Sequence, residues 1–145
     1  MKKEIKSLIE MDFIVTCCGG VGIPVIRNNN GRVRRAFTGI EAVIDKDLVS
    51  AKLAEEIGVD KFVITTDVPG VALDFGTENQ RFLSRLSVVD ACRYMEHGHF
   101  HKGSMGPKVE AAARFLNNTG KRAAITSIYN VETTVAGKAG TEFIL

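Results

Sequence analysis

The chain has 145 residues, of which 45% are hydrophobic, 25% charged and 7% aromatic, a composition that suits one globular domain and excludes a disordered chain. No apolar run approaches the roughly 20 residues a membrane-spanning helix needs, and a formal net charge of +2 is too small to argue for nucleic acid. Three cysteines, two of them adjacent at Cys17 and Cys18, make no paired disulfide framework and indicate a reducing compartment. The charged start Met1 to Lys6, followed by an apolar stretch broken at Glu10 and Asp12, lacks the pattern of a secretory signal, so the expected location is the cytoplasm.

Ile5, Leu8, Ile9 and Met11 give residues 4–11 the spacing of a short amphipathic helix. Phe13 to Cys17 is a continuous apolar run before Gly19 and Gly20, which predicts a buried parallel strand. Ile23 to Ile26, an Asn/Gly turn, and Val33 to Phe37 predict a β-hairpin. The cluster Arg32, Arg34 and Arg35 in that hairpin has no interleaved aromatics and reads as a solvated turn rather than a nucleic-acid patch. Asp47 is placed to cap a helix that runs to Gly58, where glycine supplies the stop.

Lys61 to Thr66 predicts a second buried strand, closed by Asp67, Pro69 and Gly70. Val71 to Phe75 reads as a short strand before a polar loop through Gln80. Ser87 opens a helix whose apolar side is Val88, Val89, Ala91, Cys92 and Met95. After a loop from Gly98 to Gly106, a helix is expected to start at Pro107 and to bury Val109, Ala112, Ala113 and Leu116. Ala123 to Thr126 predicts a strand, residues 130–136 a short helix, and Thr141 to Leu145 a last strand. This alternation predicts one α/β domain over residues 1–145: a mostly parallel sheet with helices on both faces and a β-hairpin excursion. Ligands of such folds sit where strands end and helices begin.

Four loops stand at those positions. Gly19, Gly20 and Gly22 follow an apolar run, and glycines there either admit a phosphate to the backbone N–H groups or form a tight turn. Neither the P-loop nor the dinucleotide pattern is matched. Asp45-Lys46-Asp47 either steadies a transferring phosphoryl group or is a helix cap with a surface ion pair. Thr66-Asp67 ends a strand, as a polar ligand or as an ordinary turn. In Gly103 to Lys108 a lysine lies in the first turn of a helix, where a cation is unfavourable unless an anion is bound. His97, His99 and His101 alternate in the manner of metal ligands, but no Cys, Asp or Glu beside them completes a set. Cys17 and Cys18 have no recognisable histidine partner and read as packing residues.

Taken together, Gly-Gly-x-Gly-Ile-Pro-Val (19–25), Glu-Ala-Val-Ile-Asp-Lys-Asp-Leu (41–48), Thr-Asp-Val-x-Gly-Val (66–71) and Gly-His-Phe-x-x-Gly-Ser-Met-Gly-Pro-Lys-Val-Glu-Ala-Ala (98–112), where x marks a position outside the likeness, resemble carbamate kinases of the amino acid kinase superfamily. The resemblance extends from about residue 4 to the C-terminus and corresponds to the carboxyl-terminal, nucleotide-binding part of a longer family member. It implies reversible phosphoryl transfer between carbamoyl phosphate and ADP, giving ATP, ammonia and carbon dioxide, with Mg2+. It also implies that Lys46 and Lys108 stabilise the moving phosphoryl group and that Asp47, or else Asp45, orients them. Thr66, Asp67, Phe75 and Met105 would surround the nucleotide, with Phe75 against the adenine, and Gly19, Gly20 and Gly22 would form a phosphate or substrate loop. Such a chain would need a separate amino-terminal half for turnover, or else act as a nucleotide-binding lobe without it. The strand and hairpin that lose neighbours in this arrangement predict a homo-oligomer. No membrane or nucleic-acid partner is implied.

Overall fold

A computed structural model of the protein describes residues 2–18, 23–27 and 37–145. Helix α1 (Lys2–Glu10) is followed by a hairpin of β1 (Val25–Arg27) and β2 (Phe37–Gly39), then α2 (Lys46–Ile57) and β3 (Lys61–Thr66). Next come β4 (Ala72–Leu73), β5 (Arg81–Phe82), β6 (Arg85–Ser87), α3 (Val88–Glu96) and α4 (Met105–Thr119). Strand β7 (Arg122–Ser127), a 3-10 turn (Ile128–Asn130), α5 (Val131–Val135) and β8 (Thr141–Ile144) complete the order.

The main sheet has four strands in the order β3-β7-β8-β6. Its outer pairings, β3 with β7 and β6 with β8, are parallel, and the central β7–β8 pairing is antiparallel. A short excursion through α5 brings the chain straight back from β7 into β8, which is why that pair runs antiparallel. Helices cover both faces, as alternation along β7 demonstrates. Ala123 and Ile125 point into the core built by α2, α3 and α4, while Thr126 accepts a 2.8 Å hydrogen bond from Thr134 of α5 on the other face.

Helix α4 is the centre of that core. Val109, Ala111, Ala112, Ala113, Phe115 and Leu116 are all buried, a wider face than the four positions its periodicity suggested. Ala51 and Ala54 of α2 lie in the same cluster, where small side chains let the two helices approach closely, and the rings of Phe62 and Phe115 lie 5.2 Å apart. Thr141, buried at the start of β8, accepts from the Val71 N–H at 2.8 Å and donates to the Leu83 carbonyl, tying β8 to the segments on either side of β4 and β5.

Several sequence expectations are corrected. Phe13 to Cys17 forms no strand: Phe13 is 60% and Ile14 100% exposed, and among the described residues nothing pairs with this run. An apolar run signals burial only if a partner sheet exists to receive it. Strand β3 is buried only at Ile64, because it stands at the edge of the four-stranded sheet. Helix α4 begins at Met105, two residues before Pro107; proline is tolerated in the first turn, where an N–H has no helical acceptor. Val89 and Cys92, expected on the inner side of α3, are exposed, and Ala91 carries its burial. Strands β5 and β6 have no counterpart in the expected elements. The glycine loop at 19–22 and the hairpin residues 28–36, which include Val33 and the arginine cluster, lie outside the described residues. No helix among those described is long and apolar enough to cross a membrane.

Candidate functional site

The helix cap expected of Asp47 belongs to Asp45. Asp45 has an extended backbone (φ −73°, ψ 127°), and its Oδ1 accepts from the N–H groups of Asp47 at 2.8 Å and Leu48 at 3.0 Å. That leaves the Asp47 carboxylate for a partner 61 residues away, the Lys108 ammonium, which donates to Oδ2 at 2.9 Å. The pair is largely shielded, with the lysine and aspartate side chains 15% and 13% exposed. The first turns of α2 and α4 therefore meet at this point. Lys46, the first residue of α2, is exposed and forms no ion pair among the described residues. Asp47 thus holds one of the two lysines and not the other.

Lys46, Asp47, Ser50 and Lys108 line a cleft of about 320 Å³ whose floor is β3, from Phe62 to Thr65. The positive dipole ends of two helices, and two ammonium groups against the Asp47 carboxylate, make it an anion-binding environment. Where β3 ends, Thr66 and Asp67 enter a second cavity of about 170 Å³ that they share with Phe75 and Met105. All four residues assigned to the nucleotide by resemblance thus line one cavity. The Thr66 hydroxyl donates to the Asp67 carboxylate at 3.0 Å, and Phe75 is 62% exposed on the cavity wall.

The two cavities adjoin along the strand and along the helix. Met105 and Lys108 are three positions apart on α4, about 4.5 Å along its axis and on neighbouring positions of its surface. An elongated ligand with an apolar ring at one end and charged groups at the other matches that arrangement.

Sequence reasoning missed part of the wall. His99, Phe100, His101 and Ser104 also line the second cavity. His97 turns away, its Nδ1 lying 2.7 Å from the Arg93 carbonyl. His99 stands in the Gly-His-Phe segment of the family likeness with no role assigned to it, the sequence signal for His101 is its place in the loop entering α4, and the alternation of the two suggested metal ligation instead. Among the described residues no group of three His, Cys, Asp or Glu stands close enough to hold a metal ion. Cys17 is exposed and Cys18 half-buried. Burial pushes the Cys18 thiol above its ordinary range, as does the neighbouring Cys17.

With this fold and site, the chain belongs to the amino acid kinase family, whose sequence pattern matches residues 1–127. Its curated relatives include the carbamate kinase of Thermococcus kodakarensis, 46% identical over 140 residues that cover 97% of this chain and 43% of the relative. The carbamate kinase-like protein YqeA of Escherichia coli is 48% identical over 141 residues, covering 97% and 44%. Among solved structures, carbamate kinase from Giardia lamblia bound to AMP-PNP superposes with a TM-score of 0.85 at 37% identity, covering 99% of this chain and 48% of that one. The chain therefore spans less than half the length of these relatives.

Proposed function

We propose that residues 1–145 form the nucleotide-holding domain of a carbamate kinase, acting in reversible phosphoryl transfer between carbamoyl phosphate and ADP. The observation that carries this reading is the adjacency of the Lys46–Asp47–Lys108 cleft and the cavity of Thr66, Asp67, Phe75 and Met105 along one strand and one helix. The adenine would lie in the second cavity against Phe75, and the diphosphate would reach toward the lysines. The glycines at 19, 20 and 22 are assigned to phosphate or substrate on sequence resemblance alone.

In the direction of ATP formation, a terminal phosphate oxygen of ADP attacks the phosphorus of carbamoyl phosphate. The bond from phosphorus to the carbamoyl oxygen breaks, and carbamate leaves and decomposes to ammonia and carbon dioxide. Negative charge spreads over the equatorial oxygens of the transferring group, where Lys46 and Lys108 would meet it. Asp47 would fix the Lys108 ammonium in place, so that catalysis rests on positioning and electrostatics. Mg2+ in such sites is held by substrate phosphates with one or two carboxylates, and Asp67, exposed on the cavity wall, would be the carboxylate to share it. Bound there, the ion would neutralise phosphate charge.

Turnover would need the carbamoyl-binding residues that the longer relatives have beyond the matched stretch, supplied in the same polypeptide or separately. A second reading is a nucleotide-binding lobe without turnover. Both readings include self-association through the apolar side chains exposed between Met11 and Ile44, a soluble small-molecule ligand and a cytoplasmic location. Calorimetric titration of MgADP into the chain, beside Lys108→Ala and Asp67→Ala, tests the shared core of the two readings. Binding that weakens in both variants is expected, and a folded chain that binds no MgADP overturns it. Recovery of ATP formation on adding a separately made amino-terminal half separates the first reading from the second.

A further inference from the structure

We infer that His101 is a further nucleotide-binding residue, donating from its Nε2–H to an acceptor on the base or ribose; this rests on the nucleotide reading of the second cavity. His101 lines that cavity, and three hydrogen bonds anchor the residue. Its carbonyl accepts from the N–H of Ser104 at 3.2 Å and of Gly106 at 3.0 Å. Its ring Nδ1 lies 3.2 Å from the Gly103 N–H, and as a backbone N–H can only donate, Nδ1 is the acceptor. The neutral ring then carries its proton on Nε2, which is left as a donor for a ligand.

The loop is shaped around this residue. Gly106 approaches so closely that a Cβ there would sit 3.2 Å from the His101 carbonyl oxygen. Other polar groups on the wall are engaged differently: the Thr66 hydroxyl donates to Asp67, and the His99 ring stands edge-on to Tyr94 at 5.3 Å with Nδ1 3.7 Å from an Asp74 oxygen. Purine and ribose present several acceptors, ring nitrogens and hydroxyls among them. A fixed donor beside an apolar wall gives a ligand orientation as well as affinity.

The donor role separates from the loop role by choice of substitution. Asparagine at this position retains an acceptor for the N–H two residues on, as in an Asx turn, but falls short of the Nε2 position. Glutamine places an amide N–H near where Nε2 stands. Affinities for ADP and for inorganic pyrophosphate are measured by calorimetry for the wild type, His101→Asn and His101→Gln, with circular dichroism confirming the fold of each. The expected result is ADP binding weakened about two- to tenfold in His101→Asn, the range for one hydrogen bond, and restored toward wild type in His101→Gln, with pyrophosphate affinity unchanged in both. Wild-type ADP affinity in a folded His101→Asn overturns the inference, as does an equal loss for pyrophosphate. Absence of ADP binding by the wild type instead removes the nucleotide reading on which it stands.

Discussion

Between Lys46 and Leu145 the large apolar side chains mostly find one another, whereas most of the described ones between Met11 and Ile44 face solvent. Phe115, Ile125, Val71 and Val109 are fully buried, while Phe13, Ile14, Ile23 and Val43 are 60, 100, 84 and 97% exposed. The two stretches do not differ in how apolar they look as sequence. They differ in closure: α4 is wrapped by α2, α3 and the four-stranded sheet, while β1 and β2 pair only with each other among the described strands. A two-stranded ribbon buries too little to be stable by itself. The first region supplies its own stability, and the second has the composition of a surface that awaits a cover.

The sharpest way to break this comparison is to substitute one residue in each region. Phe115→Ala should cost about 3–5 kcal/mol in chemical denaturation, as expected for a fully buried ring, while Val43→Asp should stay within about 0.5 kcal/mol. Light scattering of the same Val43→Asp protein should report a smaller mass than wild type at equal concentration. A wild type that is monomeric across a broad concentration range would remove self-association from the proposal.

A middle-sized effect is expected at the two lysines. Lys108→Met strands the shielded Asp47 carboxylate and should destabilise the fold by about 1–3 kcal/mol; adding Asp47→Leu should recover much of that loss. Lys46→Met, with no ion pair to break among the described residues, should leave the denaturation midpoint almost unmoved yet weaken pyrophosphate binding. Equal destabilisation by the two single variants would show that the pair at α2 and α4 carries no special weight.

The smallest effect concerns Glu55 of α2. Its hydrogen bond from Lys52 at 2.8 Å, and then one from Asn118 of α4 at 2.7 Å, hold its carboxyl below the ordinary glutamate range. A depressed folded pKa stabilises the protein above the unfolded value, and that contribution is lost as pH falls through the folded value. Between neutral pH and pH 3, wild type should therefore lose slightly more stability than Glu55→Gln, by about 1 kcal/mol or less for so exposed a lysine partner. Parallel pH profiles would contradict the assignment.

The legible parts of the sequence were those with a long enough period or an unambiguous terminator. Helix α4 showed itself through Val109, Ala112, Ala113 and Leu116 at helical spacing, and α2 through Gly58, which takes the left-handed conformation at φ 81°. Strands β5 and β6, two and three residues long, are too short to carry a pattern. Asp45 and Asp47 are both chemically competent caps, and only the backbone geometry before α2 decides between them. Phe13 to Cys17 has a strand's composition, but burial is a property of neighbours that composition does not contain. Lys46, Lys108, Thr66 and Asp67 stood out by their places at strand ends and helix starts, while their assigned roles, and Phe75 and Met105 altogether, came by family resemblance. His101 had no role assigned, because the alternation of His97, His99 and His101 points to a metal rather than to a cavity wall, and its place there depends on the hydrogen bonds of Gly103, Ser104 and Gly106.

The link made by Thr141 extends beyond the core it sits in. One hydroxyl group joins the last strand to Val71 and Leu83, and the chain between them carries Ala72 and Phe75 of the second cavity wall. The family pattern ends at residue 127, yet the cavity is braced by a residue that follows it. The end of that pattern is therefore not a place where the molecule can be cut: a chain ending before Thr141 would keep every assigned ligand-facing residue in its sequence and lose the clamp that holds that wall in position.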